Sequence, residues 1–103
     1  MTKIKIGAKL YSILHTNQTI NEIFKEEPNA NGYISYPTSE IHIRNTNSSD
    51  TIEETTIHEI LHALIDNAGV PDQNLDTFIN VLTPRLHAFL KDNPDFFITL
   101  LNK

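Results

Sequence analysis

The chain has no cysteine, no cluster of lysine and arginine, and no long apolar run. Without cysteine, neither a disulfide framework nor a thiolate metal site can form, so any bound metal must use histidine and carboxylate ligands. A formal net charge of −5 without a basic cluster argues against nucleic-acid binding, which depends on neutralising phosphates. No apolar stretch has the length of a signal-peptide core or a bilayer span, which predicts a cytoplasmic protein with no membrane partner.

Length and composition predict one small domain that spans residues 1–103. The chain is 39% hydrophobic and 20% charged, and it contains no internal repeat or low-complexity run. A chain of this size forms a single core but does not accommodate a catalytic domain together with a separate recognition domain. We therefore expect substrate selection to use this domain or a partner.

The most informative stretch is the pentapeptide from His58 to His62, which reads His-Glu-Ile-Leu-His. Positions i and i+4 of a helix differ by about 40°, so both imidazoles project from one face. Zinc binds neutral imidazole nitrogens and keeps one position open for water, which a neighbouring carboxylate can deprotonate for attack on a peptide carbonyl. The pattern predicts His58 and His62 as Zn²⁺ ligands and Glu59 as general base. The alternative is a pair of surface histidines on an amphipathic helix.

The residues around the pentapeptide predict a helix that can display it. Apolar residues recur with the helical period at Ile57, Ile60, Leu61, Leu64, Ile65 and Ala68. Asp50 and Glu53 form a candidate capping box at the start. Gly69, followed by Pro71, predicts the end of the helix.

A third protein ligand must come from elsewhere in the chain. All seven glutamates lie at or before Glu59, so no glutamate follows the motif. The remaining candidates are Asp66, Asp72, Asp76, His87, Asp92 and Asp95. Asp76 is the best placed, because it opens a second segment with helical apolar periodicity, and the short connection after Gly69 predicts an antiparallel helix pair. Its alternative role is a first-turn acid that stabilises a helix N-terminus.

Three further residues of this second segment affect the predicted site. Asn80, four residues after Asp76, is a candidate acceptor that orients His58. If the helix continues, His87 lies on the same helix face as Asp76 and Asn80. It is then a candidate fourth ligand, a candidate oxyanion donor or an ordinary half-buried histidine. Pro84 either kinks the helix or, with Thr83 as N-cap, begins a new one.

The first half of the chain predicts strands. Residues 3–14 alternate in β fashion, with Gly7 marking a turn or bulge, and residues 33–36 and 41–44 flank a hairpin turn. A short helix or irregular segment is predicted for residues 18–25. The predicted fold is α+β, in which a small antiparallel sheet of about three strands packs against the motif helix and a second, C-terminal helix.

Several side chains outside the motif are candidates for contacts with a substrate. An exposed sheet edge beside the motif helix would bind an extended peptide by strand addition. Tyr33 and Tyr36 are candidate hydroxyl donors to a tetrahedral oxyanion. His42 and Arg44 share one strand face, which either reaches the substrate or lies in solvent. The apolar residues from Phe96 to Leu101 predict a helix that packs on the core or forms an interface.

Four stretches resemble short HEXXH proteins of phage and prophage genomes, which are loosely grouped with the ImmA/IrrE-type (gluzincin-like) zinc metallopeptidases. These stretches are Lys3–Ile6, Gly32–Arg44, His58–Ala63 and Phe89–Pro94. The resemblance implies a minimal zincin-like domain, zinc peptidase chemistry and a host cytoplasmic location. It also implies an acidic third zinc ligand at the position of Asp76. That ligand is usually glutamate, and the shorter aspartate requires a closer approach of the two helices.

The sequence therefore predicts a zinc-dependent endopeptidase of phage or prophage origin that hydrolyses peptide bonds in a peptide or protein substrate through a metal-activated water. In this hypothesis His58, His62 and Asp76 bind Zn²⁺ and Glu59 is the base. The alternative is a non-catalytic metal-binding interaction module that docks on a host or phage protein. The oligomeric state is left unspecified by these patterns.

Overall fold

The computed structural model describes residues 2–16, 30–71 and 75–102. These residues form four strands and three helices: β1 (Thr2–Ile6), β2 (Lys9–Thr16), β3 (Gly32–Ser35), β4 (Glu40–Arg44), α1 (Ser49–Asn67), α2 (Leu75–Asp92) and α3 (Phe96–Leu101). The segment predicted as a short helix or irregular stretch, residues 18–25, lies outside the described residues. None of the three described helices has the length and apolarity needed to cross a membrane. The α+β class predicted from the sequence is confirmed.

The four described strands form one mixed sheet in the order β1-β2-β4-β3. The pairs β1–β2 and β3–β4 are antiparallel, whereas β2 and β4 are parallel, with Ile13 opposite Ile41. The predicted antiparallel sheet of about three strands is therefore wrong in strand number and in the central pairing. Gly7, at φ +61°, turns the alternating segment back on itself to give two strands. The parallel pair joins segments far apart in the chain, and no local pattern specifies such a pairing.

One face of the sheet carries the hydrophobic core. Its buried residues are Ile6, Tyr11, Ile13, Ile41 and Ile43, together with Ala63 of α1. Branched and aromatic side chains suit a pleated surface of this kind. Ile52 and Ile60, on the same side of α1 as Ala63, pack against the cluster. The core thereby fixes α1 across the sheet and leaves its other side for contacts with α2.

Helix α1 has well-defined ends. The Ser48 side chain is the N-cap and accepts a hydrogen bond from the Thr51 backbone amide at 3.3 Å. The predicted Asp50–Glu53 capping box is therefore wrong, because both carboxylates contact α2 instead. At the other end, Gly69 adopts φ +75° and its amide donates to the Asp66 carbonyl oxygen at 3.0 Å, while the amide of residue 70 reaches the carbonyl of residue 65. This glycine-terminated ending is the one predicted at Gly69.

Helix α2 continues through Pro84. A proline in a helix interior has no N–H to donate, so the carbonyl of Asn80 loses its usual intrahelical donor. The Thr83 hydroxyl donates to the Ile79 carbonyl at 2.7 Å rather than capping a new helix. Of the two alternatives for Pro84, the structure therefore has the proline inside a continuous helix.

Helix α3 forms over the predicted apolar stretch, but none of its residues is buried. Its Phe97 ring meets Phe89 of α2 edge-on at 6.0 Å between centroids. Ten large apolar side chains of α2 and α3 are exposed: Phe78, Val81, Leu82, Phe89, Leu90, Phe96, Phe97, Ile98, Leu100 and Leu101. The expectation that this stretch packs on the protein's core is therefore wrong.

Gly32 allows α1 to lie close to strand β3. A Cβ built on Gly32 would lie 2.7 Å from Thr55 Cγ2 and 2.9 Å from the His42 carbonyl oxygen, and the second atom belongs to the backbone. We expect Gly32→Ala to lower the free energy of unfolding by about 1–3 kcal/mol through this overpacking. Urea denaturation would measure the loss. Ser35→Ala, on the same strand, is the control and should change stability by less than about 0.5 kcal/mol. Equal stability of Gly32→Ala and wild type would contradict the close packing.

Candidate metal centre

The two motif histidines converge on one point beside α1. Their Nε2 atoms are 3.2 Å apart, and their rings are tilted by 60° with centroids 4.8 Å apart. His62 is buried, at 9% exposure, whereas the His58 side chain is 26% exposed. The i, i+4 spacing therefore brings the two ring nitrogens together at the junction of α1 with its neighbours.

Helix α2 brings an aspartate to His62. Asp76, in the first turn of α2, places Oδ1 3.1 Å from His62 Nε2. Its side chain is 76% exposed, so it approaches His62 from the solvent side. The structure thus brings Asp76 next to the motif, as the antiparallel helix pair predicts. Its role as a metal ligand stays a prediction.

These distances fit a tetrahedral zinc ion. Zinc bonds of about 2.0–2.1 Å to nitrogen or oxygen in a tetrahedron separate the ligand atoms by about 3.3 Å. The two separations measured at His62 Nε2, 3.2 Å to His58 and 3.1 Å to Asp76, are close to that value. Two imidazoles and one carboxylate also match the three protein ligands of a catalytic zinc site. The donor types and the two separations at His62 therefore fit the metal that the motif predicts.

Glu59 is a buried residue beside the two motif histidines. Its Oε1 is 3.9 Å from His58 Nε2, and the residue is only 6% exposed. The potential ligand atoms of His58, Glu59 and His62 all lie within 4.8 Å of one another, so these three residues form a group that could hold a metal ion. Burying a carboxylate is costly unless a nearby positive charge or hydrogen bonds compensate for the lost hydration. A cation at the histidine pair would provide that compensation.

A cleft of about 370 Å³ opens next to His58 and Glu59. It lies between the start of β3 and the two long helices, and its wall is mostly polar. The lining residues are Asn31 and Gly32 at β3, Glu54, Thr55, His58 and Glu59 from α1, and Asn80, Thr83 and Pro84 from α2. The candidate base and one candidate ligand are therefore accessible from a defined space.

His87 does not join the candidate metal site. Its Nε2 is 2.6 Å from Glu53 Oε1, and its Nδ1 is 3.4 Å from Glu54 Oε1. The hydrogen bond with Glu53 raises the pKa of His87 above its ordinary 6.5 and lowers the pKa of Glu53 below its ordinary 4.5. His87 is thus neither a fourth ligand nor placed as an oxyanion donor, but a buried link between the two helices.

Asp50, Glu53 and His87 form a second group whose ligand atoms lie within 4.8 Å of one another. Lys91 already supplies a positive charge there, with Nζ 3.0 Å from Asp50 and 3.5 Å from Glu53. The hydrogen bond between them raises the pKa of Lys91 and lowers the pKa of Asp50. We interpret this group as an ion-pair network that joins α1 to α2.

Of the two candidate tyrosine donors, Tyr36 is the one for which the structure gives a hydrogen bond to the motif helix. Its hydroxyl donates to the backbone carbonyl of His62 at 3.5 Å. Tyr33 stacks on His42 at 4.6 Å, and strand alternation places both on the sheet face opposite the core. Arg44 neither reaches the cleft nor lies in solvent, because it is 4% exposed and its Nε donates to the Ala30 carbonyl at 2.7 Å.

The other aspartates are not brought to the motif in the described residues. Asp66, Asp92 and Asp95 are exposed and belong to neither metal-compatible group. Asp72 lies outside the described residues. The prediction that Asn80 orients His58 stays untested, although both residues line the cleft.

Sequence reasoning missed Glu54 as a residue of the site. Glu54 lines the cleft and precedes His58 by four residues, so the helical period that pairs the two histidines also places Glu54 on their face. The four-residue spacing could therefore have identified Glu54 from the sequence. Asn31 gave no such signal, because its place in the cleft depends on how β3 packs against α1.

In comparisons with known proteins, no family model, no curated protein and no solved structure matches the chain. The resemblance to ImmA/IrrE-type proteins therefore depends on the motifs quoted above.

We expect the purified protein to bind one zinc ion. His62→Ala should weaken zinc affinity by more than about 100-fold, which is the largest loss usually seen when a residue that only orients a metal ligand is removed. His62 is the shared neighbour of both other candidate ligands, so its loss should exceed that of Asp76→Asn. Competition with a fluorescent zinc chelator would measure the affinities. Asp66→Asn, an exposed carboxylate on the same helix, is the control. Equal zinc binding by wild type and His62→Ala would exclude this site.

The His87–Glu53 pair predicts a pH-dependent contribution to stability. Because its pKa is raised, His87 contributes fully below pH 6.5 and loses this contribution as pH rises through its folded pKa. Glu53 has a lowered pKa, so it contributes above pH 4.5 and loses this as pH falls through its folded value. We expect the difference in Tm between wild type and His87→Gln to be largest between these two pH values.

Differential scanning fluorimetry across pH 4.5–9 would test this expectation. Lys91→Gln is the matched control, because the pKa of Lys91 is raised above 10.5 and its effect should stay level through the neutral range. A His87→Gln difference that grows toward alkaline pH would show that the histidine is not charged in the folded protein.

Proposed function

We propose that the protein is a zinc-dependent endopeptidase of the short phage and prophage type that its motifs resemble. The observation that carries the proposal is that His58 and Asp76 both approach His62 Nε2, at 3.2 Å and 3.1 Å, with the buried Glu59 beside His58. Two histidines and a carboxylate leave one position of a tetrahedral ion open. Such open sites are typical of catalytic rather than structural zinc.

His58, His62 and Asp76 would hold the ion, which when bound supplies a Lewis acid that lowers the pKa of water and polarises a carbonyl. Glu59 takes a proton from the attacking water as the water oxygen bonds to the carbonyl carbon. It then returns the proton to the amide nitrogen as the carbon–nitrogen bond breaks, so the two products are a carboxylate and an amine.

The cleft and the adjoining strand provide a place for the substrate. Asn31 and Gly32, at the start of β3, line the same cleft as His58 and Glu59. In the described sheet β3 is an edge strand, and an extended peptide can pair with such an edge through backbone hydrogen bonds. A peptide beside the start of β3 would therefore pass over the candidate base. We propose the cytoplasm, or the host cytoplasm for a phage-encoded protein, as the place of action.

A second candidate function is supported by a different observation. Helices α2 and α3 expose ten large apolar side chains, which a protein using only the cleft does not require. In this alternative the protein is a non-catalytic metal-binding interaction module that docks on a host or phage protein through these side chains. Loss of the Glu59 carboxylate would then leave its biological activity unchanged.

The experiment that separates these functions is Glu59→Gln. We expect this variant to keep its zinc but to cleave a fluorescently labelled unfolded protein about 10²–10⁴-fold more slowly, because the amide cannot accept the proton. Metal analysis and initial rates with equal zinc loading would provide both measurements. Glu40→Gln, a change at a glutamate on the sheet, is the matched control and should cleave normally. Equal cleavage by Glu59→Gln and wild type would contradict the proposed mechanism, and a zinc-loaded wild type without cleavage would favour the interaction module.

A further inference from the structure

The cleft beside the candidate metal centre is lined by two acidic side chains. Among the described residues that line it, the acidic side chains are Glu54 and Glu59, and neither lysine nor arginine is present. Glu59 is buried against His58, whereas the Glu54 side chain is 42% exposed and open to a group that enters from solvent. The two positions are five residues apart on α1, which corresponds to about 7.5 Å along the helix axis.

The negative charge of Glu54 is not cancelled by its neighbours. His87 Nε2 is 2.6 Å from Glu53, whereas its Nδ1 is 3.4 Å from Glu54, so the histidine pairs first with Glu53. Three carboxylates in this network, Asp50, Glu53 and Glu54, face two cations, His87 and Lys91. Even with His87 protonated, one negative charge remains. The least tightly paired carboxylate is Glu54, on the cleft side.

The opposite wall of the cleft adds a hydrogen-bond acceptor. Pro84 and Asn80 both line the cleft, and the missing N–H of Pro84 removes the usual donor to the Asn80 backbone carbonyl. The cleft therefore has a carboxylate on its α1 wall, and its α2 wall contains a residue whose backbone carbonyl lacks its usual donor. Ammonium and guanidinium groups carry several donors and no acceptor, so they match such a lining better than any other side chain.

We propose that this cleft is a specificity pocket for a lysine or arginine side chain of the substrate, with Glu54 as its counter-charge. The inference rests on the proposed peptidase function and names the substrate class of the same site. A volume of about 370 Å³ is enough for one long side chain, since whole ligand pockets begin near 300 Å³. The four-carbon stem of lysine is about as long as the separation of Glu59 from Glu54 along the helix. A lysine whose backbone lies near Glu59 would therefore place its ammonium group near Glu54.

The test uses heptapeptides of alanine with one central variable residue, which is lysine, arginine, leucine or glutamate. Cleavage is measured as kcat/KM with the zinc-loaded protein, and binding is measured as Kd with Glu59→Gln. We expect lysine and arginine to be preferred over leucine by about 10- to 100-fold, the range for a hydrogen-bonded charged group. Glu54→Gln should remove the preference, and Glu54→Lys should shift it to glutamate. Asp50→Asn is the matched control, because it removes one charge from the same network without touching the cleft.

The two readouts separate this inference from the peptidase proposal. Preferential binding of basic peptides that Glu54→Gln abolishes supports the pocket, even if no peptide is cleaved and the peptidase proposal fails. Cleavage with equal preference for lysine and leucine overturns the pocket while leaving the peptidase intact. A basic preference that persists in Glu54→Gln, or the absence of any binding of basic peptides, also overturns it. Circular dichroism of each variant would establish that the fold is retained.

Discussion

Helix α1 is held between two neighbours that contact different sides of it. The isoleucine-rich sheet buries the side that carries Ala63, and α2 meets the side that carries His62. Because an α-helix cannot rotate between two such contacts, the packing of the core also sets the direction of both imidazoles. The position of Asp76 then depends only on where α2 lies along α1. The chemistry of the candidate centre therefore depends on apolar packing that contains none of its ligands.

Two polar contacts fix the position of α2 along the axis of α1. At one end Asp76 meets His62, and at the other His87 and Lys91 meet the acidic first turns of α1. The two contacts are different in kind, because the first joins two candidate metal ligands and the second pairs carboxylates with a lysine and a histidine. The ion-pair network therefore holds the helices in register before any metal binds. A site prepared in this way loses less entropy on metal binding than one that must first assemble.

Much of the site was accessible to sequence reasoning because it depends on helical periodicity. The histidine spacing, the ending at Gly69 and the approach of Asp76 all follow from local pattern and a short connection. The failures came from long-range contacts. Asp50 and Glu53 have the sequence of a capping box, yet tertiary partners on α2 take their carboxylates. The parallel pairing of β2 with β4 likewise depends on segments that no local alternation relates.

The two edges of the described sheet differ in a way that limits how the sheet can extend. Strand β1 presents Lys3 and Lys5 on its outward face, and lysines on an edge strand discourage pairing with another chain. Strand β3 carries no lysine, and its first residue adjoins the cleft. An added strand is thus admitted at one edge and discouraged at the other. The asymmetry therefore leaves the β3 edge, next to the cleft that Glu59 lines, as the edge at which an added strand would meet no lysine.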